Sequence, residues 1–212
     1  MTIAARVSEL GIAEILHFTT SNGALGVLAE AALLPRSQLK DSQNLEFILK
    51  HNCDTRKDPA WIGYSSMSIS KINSKFMSYS EYQHSHEPDL WWCILAFSPK
   101  ILSHPGVVFV SGNNTWPRAI KQAGEQGLER MFAASVPGTF GSTITRSRSL
   151  PANQPTSAEA EILYPGRLSI DYLTHAYFKD SLHADHFHAQ AHTLGVELPD
   201  SACIVDEAQF HG

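Results

Sequence analysis

Bulk basic charge is missing from this chain. Its 16 Lys and Arg are outnumbered by 21 Asp and Glu, for a net charge of -5. The broad positive field of a tight duplex-DNA binder is therefore excluded, and any nucleic-acid contact must be local and transient. Long apolar runs are missing too: nothing approaches the roughly 18 consecutive apolar residues of a membrane helix, so no membrane partner is expected. Cysteine is scarce. Cys53, Cys93 and Cys203 are odd in number and form no C-x-x-C pair, which argues for reduced thiols over a disulfide framework. The first twenty residues, "MTIAARVSELGIAEILHFTT", carry Glu9 and Glu14 and no basic stretch leading into an unbroken apolar one. No secretion signal and a cytoplasmic location are the expectation. There is no internal repeat and no low-complexity segment.

What is there suits a globular protein. The 212 residues, 43% hydrophobic and 9% aromatic, are enough for one domain with a real core. The stretch "SELGIAEILHFT" reads as a short helix or turn feeding a strand around residues 16–19. "SNGALGVLAEAALL" reads as a helix capped by Ser21 or Asn22 and ended by Pro35, and "SQNLEFILKHN" as a second helix. "IGYSSMSIS" alternates, with Met67 and Ile69 on one face and serines on the other. "LWWCILAFS" is a near-continuous apolar run of strand length, which predicts a central strand. "GVVFVSGN" is a further strand and "GEQGLERMFA" a helix. "TRSRSLPANQPTSAEAEILYPG" runs as a long loop into another strand, and "SIDYLTHAYF" suits a turn and then a strand. Strands with interspersed helices predict an α+β class.

Three features carry possible chemistry. His17 sits in "HFTT" at a strand end before a glycine-containing turn. Arg56 lies in the polar loop "TRKDPAW". Glu159 and Glu161, two apart in "SAEAEILYPG", are expected on one strand face, where two like charges repel unless something uses them. Basic residues are bunched at Lys71 and Lys75 and again at Arg146 and Arg148.

The fragments "HFTTSNGALGVL", "YSSMSIS", "WWCILAF", "GVVFVSGNN" and "AEAEILYPGRLSIDYL" occur in an order that resembles the DarT family of DNA ADP-ribosyltransferase toxins. The likeness covers residues 12–178 and is greater to the guanine-modifying branch, which has a hydroxyl-rich second strand and a WWC-type third strand. The thymine-modifying branch carries a proline-flanked aromatic strand in that place. The resemblance implies a split mixed β-sheet with flanking helices that binds NAD as co-substrate, with no metal. It implies an ADP-ribosyltransferase domain over residues 1–180, followed by a His-rich extension over 181–212.

Carried over by position, the resemblance makes Glu161 catalytic and Arg56 the arginine that faces it. His17 and Thr19, with Ser66 and Ser68, would bind NAD, and Ser70 would continue the hydroxyl face. Glu159, Arg146, Arg148 and Gln154, around "RSRSLPANQPTS", would handle the acceptor. Single-stranded DNA is the implied substrate, because extruding a base from duplex costs a few kcal/mol. A cognate antitoxin that removes ADP-ribose is the implied partner.

Three other readings compete. One is the thymine-modifying enzyme. Another is a protein arginine-specific ADP-ribosyltransferase, suggested by the E-x-E pair and the S-x-S strand but opposed by "HFT" where that group has an arginine. The third is a metal-binding module built on His183, His186, His188 and His192 in "HADHFHAQAH". There the i, i+4 pair 188/192 has ligand spacing but only Asp185 as a neighbouring carboxylate.

Overall fold

The structure, a computed structural model, describes residues 2–39 and 59–211. Helix α1 (Ile3–Leu10) is capped by Thr2, whose hydroxyl accepts the Ala5 N–H, and stops at Gly11 in a left-handed conformation. Strand β1 (Ile15–Thr20) runs without a loop into α2 (Ser21–Ala29). The cap of α2 is Thr20, the last residue of the strand and one position before the expected Ser21: its hydroxyl accepts the Gly23 N–H. Nor does Pro35 end this helix. Ala31 turns into positive φ, and the chain continues as β2 (Ala32–Leu33) and the short α3 (Arg36–Leu39). The expected helix "SQNLEFILKHN" lies outside the described residues.

Strand β3 (Tyr64–Ile69) buries Ser65, Met67 and Ile69 and leaves Ser66 and Ser68 half-buried on the opposite face, as the alternation predicts. It is followed by α4 (Ser74–Gln83) and β4 (Trp92–Phe97), whose residues 93–97 are all buried. The next elements are β5 (Val108–Val110), β6 (Lys121–Ala123), α5 (Gly124–Met131), β7 (Ser135–Pro137) and β8 (Thr143–Thr145). They are followed by β9 (Glu161–Pro165), β10 (Leu168–Ser169), β11 (Leu173–Phe178), α6 (Ser181–Thr193) and β12 (Cys203–Val205). Eight strands form one sheet in the order β12-β11-β4-β1-β3-β9-β5-β6. All neighbours pair antiparallel except β11 with β12, so the sheet is mixed and the class is α+β.

Elements beyond residue 180 pack on the same core and sheet. Phe187 of α6 is 1% exposed and shares a core with Phe178, Phe97 and Phe109, while β12 lengthens the sheet. The second face of the sheet packs Leu16, Ile94 and Met77 against Phe210 from the chain's end. Residues 181–210 therefore complete the same fold. Of the tail histidines, His183 stacks on Trp91 and pairs with Asp180. Among the described residues no three His, Cys, Asp or Glu come together as a metal site, and no helix there is long and apolar enough to cross a membrane. Burial pushes the Cys93 thiol well above its usual range, which makes it a core residue with no nucleophilic character.

Candidate active site

The central feature is a break in one ladder. Against β4, strand β1 pairs over six rungs, Ile15↔Phe97 through Thr20↔Trp92. Against β3 it pairs over only two, Ile15↔Ile69 and Leu16↔Ser68. Beyond Leu16 the two strands part, and the sheet is split at its middle. The His17 ring takes up the opening: its Nδ1 lies 2.8 Å from the Ser66 carbonyl oxygen. A carbonyl can only accept, so Nδ1 carries the proton, and in the neutral ring Nε2 becomes an acceptor. The next rung partners put Leu16, Ser68, Ser66 and Leu163 on one face, with His17 and Thr19 on the other. The split lets the imidazole reach across.

On the far side of β3, the carboxylate of Glu161 begins β9 opposite Val110. Among the described residues, donors from Ser66 and Asn114 converge on it. The Ser66 hydroxyl donates to Oε2 at 2.7 Å, the Asn114 side-chain amide donates to Oε2 at 3.0 Å, and the Asn114 backbone N–H donates to Oε1 at 3.2 Å. Hydrogen bonds to an ionised group are the strong kind, and these fix both oxygens in space. Asn114 is 5% exposed, so this support is itself held by packing. Ser66 joins the two halves: its carbonyl receives His17 and its hydroxyl binds Glu161.

The structure thus brings His17, Ser66 and Glu161 into one connected group. Ser68 lies on the same face as Ser66, half-buried. Ser70 does not continue that row, because it turns to φ 58 and leaves the strand. Thr19 stands against the first turn of α2, where a Cβ on Gly23 would come within 2.0 Å of its hydroxyl oxygen. Only glycine allows that approach.

The acceptor-side residues are rearranged relative to expectation. Glu159 does not share a strand face with Glu161. It sits in a turn, its N–H bonded to the Ser157 hydroxyl at 3.2 Å, with buried Ala160 between it and the strand. Arg146 is turned inward, and its guanidinium donates to the carbonyls of Gln154 and Pro151 at 2.7 and 2.8 Å. It lies 5.7 Å over the Phe132 ring. It braces the loop from inside. Arg148 is exposed and Gln154 half-buried. Arg56 lies outside the described residues.

Asn114 is the residue that sequence reasoning missed. The signal was present in "SGNN", immediately after the strand "GVVFV", but its partner lies 47 residues away and is reached only through the pairing of β5 with β9.

Comparisons with known proteins identify the fold and the family. A DarT family model, described as "ssDNA thymidine ADP-ribosyltransferase, DarT", matches residues 16–203 and so extends into β12. No curated protein matches. Among solved structures, DarT from Thermus sp. 2.9 in complex with NAD+ superposes with a TM-score of 0.63 at 12% identity, covering 94% of this chain and 98% of that one. The same protein in complex with ADP-ribosylated single-stranded DNA gives 0.63 at 13%, covering 95% and 97%. DarTG from Thermosipho africanus in complex with ADP-ribose gives 0.60 at 13%, covering 93% of this chain and 51% of that one. At such identities the superpositions speak for the fold. The family model, which spans the split, the hydroxyl strand and Glu161, speaks for more: the chain belongs to the DarT family of NAD-dependent ADP-ribosyltransferases acting on single-stranded DNA.

Proposed function

We propose that this protein transfers ADP-ribose from NAD to guanine in single-stranded DNA, with the split between β1 and β3 as the NAD site. The observation that carries the reading is the Glu161 carboxylate, held by Ser66 and Asn114 beside the opening that His17 fills. In this reading the Nε2 of His17 accepts from a ribose hydroxyl, with Thr19, Ser66 and Ser68 lining the NAD side. The glycosidic bond between C1′ and the nicotinamide nitrogen breaks, and its electron pair leaves with nicotinamide. Positive charge then develops on the ribose, where a fixed carboxylate stabilises the transition state more than the ground state. A nitrogen of the base attacks C1′, and its proton passes to Glu161 or Glu159. Arg56, by resemblance, faces Glu161 or grips the pyrophosphate, a task that suits a bidentate guanidinium.

On the acceptor side, Arg148 is exposed and meets a phosphate, Arg146 keeps the loop in shape, and Gln154 and Glu159 contact the base. The choice of guanine rests on "YSSMSIS" and "WWCILAF", whereas the family description names thymidine. A role as the toxin of a toxin-antitoxin pair, with a cytoplasmic partner that removes the adduct, belongs to the same reading. Four single-stranded oligonucleotides, each lacking one base, incubated with NAD and the protein, decide the base. Loss of the adduct only in the guanine-free strand is expected; loss only in the thymine-free strand assigns thymine instead.

A further inference from the structure

We infer that Phe140, at the tip of the β7–β8 hairpin, is a stacking platform for a base of the single-stranded DNA next to the one that is modified. This rests on the DNA reading above. Among the described residues, Phe140 is the most exposed of the large apolar ones, at 106% relative exposure, and its backbone is left-handed at φ 50, ψ 34. A bulky residue in that region is uncommon and persists where surrounding structure holds it. Here the hairpin does so. β7 and β8 pair over three rungs, and the Gly138 N–H donates to the Ser142 carbonyl at 2.9 Å. The Ser142 N–H and hydroxyl both donate to the Thr139 carbonyl, at 2.9 and 2.7 Å. The ring is thus carried outward on a braced turn.

The hairpin's position links it to Glu161. A Cβ on Gly112 would lie 2.9 Å from the Trp116 ring and 3.9 Å from the Pro137 carbonyl of β7. Two residues on, Asn114 binds the Glu161 carboxylate. The base of the hairpin therefore stands on the same loop that supports Glu161. At its tip, the exposed Arg118 has Nη1 3.5 Å from where a Gly141 Cβ would be. From β8 the chain passes directly into Arg146 and exposed Arg148.

An aromatic face with the exposed Arg118 guanidinium near it, and exposed Arg148 farther along the chain beyond β8, matches a single strand, whose bases offer π-faces and whose phosphates carry the charge. It also reconciles local DNA contact with a net charge of -5, because stacking needs no broad basic field. Every base has a π-face, so this platform adds affinity without choosing the base that is modified.

Fluorescence anisotropy with a labelled single-stranded oligonucleotide tests the inference. Phe140→Ala should weaken binding about tenfold, within the range of one lost base–aromatic stack. Phe140→Trp should restore it, whereas Phe140→Leu should not. Because the residue is exposed, the melting temperature should stay the same in all three. If wild-type protein and Phe140→Ala bind the oligonucleotide equally, the platform is overturned and the DNA reading stands. If wild-type protein binds no single-stranded DNA, both fall. Self-association of the wild type that Phe140→Ala abolishes, with DNA binding unchanged, would assign the ring to a protein contact and also overturn the inference.

Discussion

Glu161→Gln is expected to reduce ADP-ribosyl transfer by about 10³-fold, the scale for losing one preorganised electrostatic stabiliser of a transition state. The substitution keeps the shape of the side chain and removes the charge. It also places an amide NH₂ where Ser66, the Asn114 side chain or the Asn114 backbone now donates, so at least one donor faces another donor. In the proposed reading, ground-state contacts with NAD involve the rest of the cleft. Thermal stabilisation by NAD should therefore persist while turnover is lost, which separates a transition-state role from a binding role. Glu159, in its turn outside the β9 ladder, is tied through its N–H to the Ser157 hydroxyl, and Glu159→Ala should change DNA handling more than NAD chemistry. A Glu161→Gln enzyme that keeps a tenth or more of wild-type turnover would contradict the assignment, as would a dead Glu159→Ala beside an active Glu161 variant.

His17→Ala is expected to shrink the NAD-induced rise in melting temperature and to lower kcat/KM for NAD by about 10²-fold, the cost of misplacing a reacting group by about 1 Å. Removing the ring leaves the Ser66 carbonyl without its 2.8 Å donor, which loosens the strand whose hydroxyl orients Glu161, and takes away the Nε2 acceptor proposed above for a ribose hydroxyl. Differential scanning fluorimetry across an NAD titration, alongside initial rates, checks both. An unchanged NAD response in the variant would mean that the split between β1 and β3 is not the NAD site.

Some of this was legible in the residues and some was not, for physical reasons. The alternation in "YSSMSIS" and the unbroken apolar run "WWCILAF" are local patterns, and β3 and β4 follow them directly. The order of fragments led to His17, Ser66 and Glu161, which the structure joins into one group. The ladder break beyond Leu16 is different. It depends on where β1 stops pairing with a strand some fifty residues later, and nothing in either segment alone encodes that. Asn114 escaped for the same reason.

The E-x-E pair misled because spacing two suggests a shared face only if both residues are in the strand, and the Ser157 turn delays the strand to Glu161. The bonds of Arg146 to the carbonyls of Gln154 and Pro151 were not legible either, because they exist only once the loop folds around the guanidinium. In the tail, "CIV" is too short to announce a strand, and it becomes one only as a parallel edge on β11.

The most direct test of the central claim is mass spectrometry of a single-stranded oligonucleotide containing all four bases after incubation with NAD and the protein, beside the same sequence as duplex. An ADP-ribose adduct on the single strand that requires Glu161, with little or none on the duplex, is the expected result. Transfer to added protein with no adduct on any oligonucleotide would contradict it.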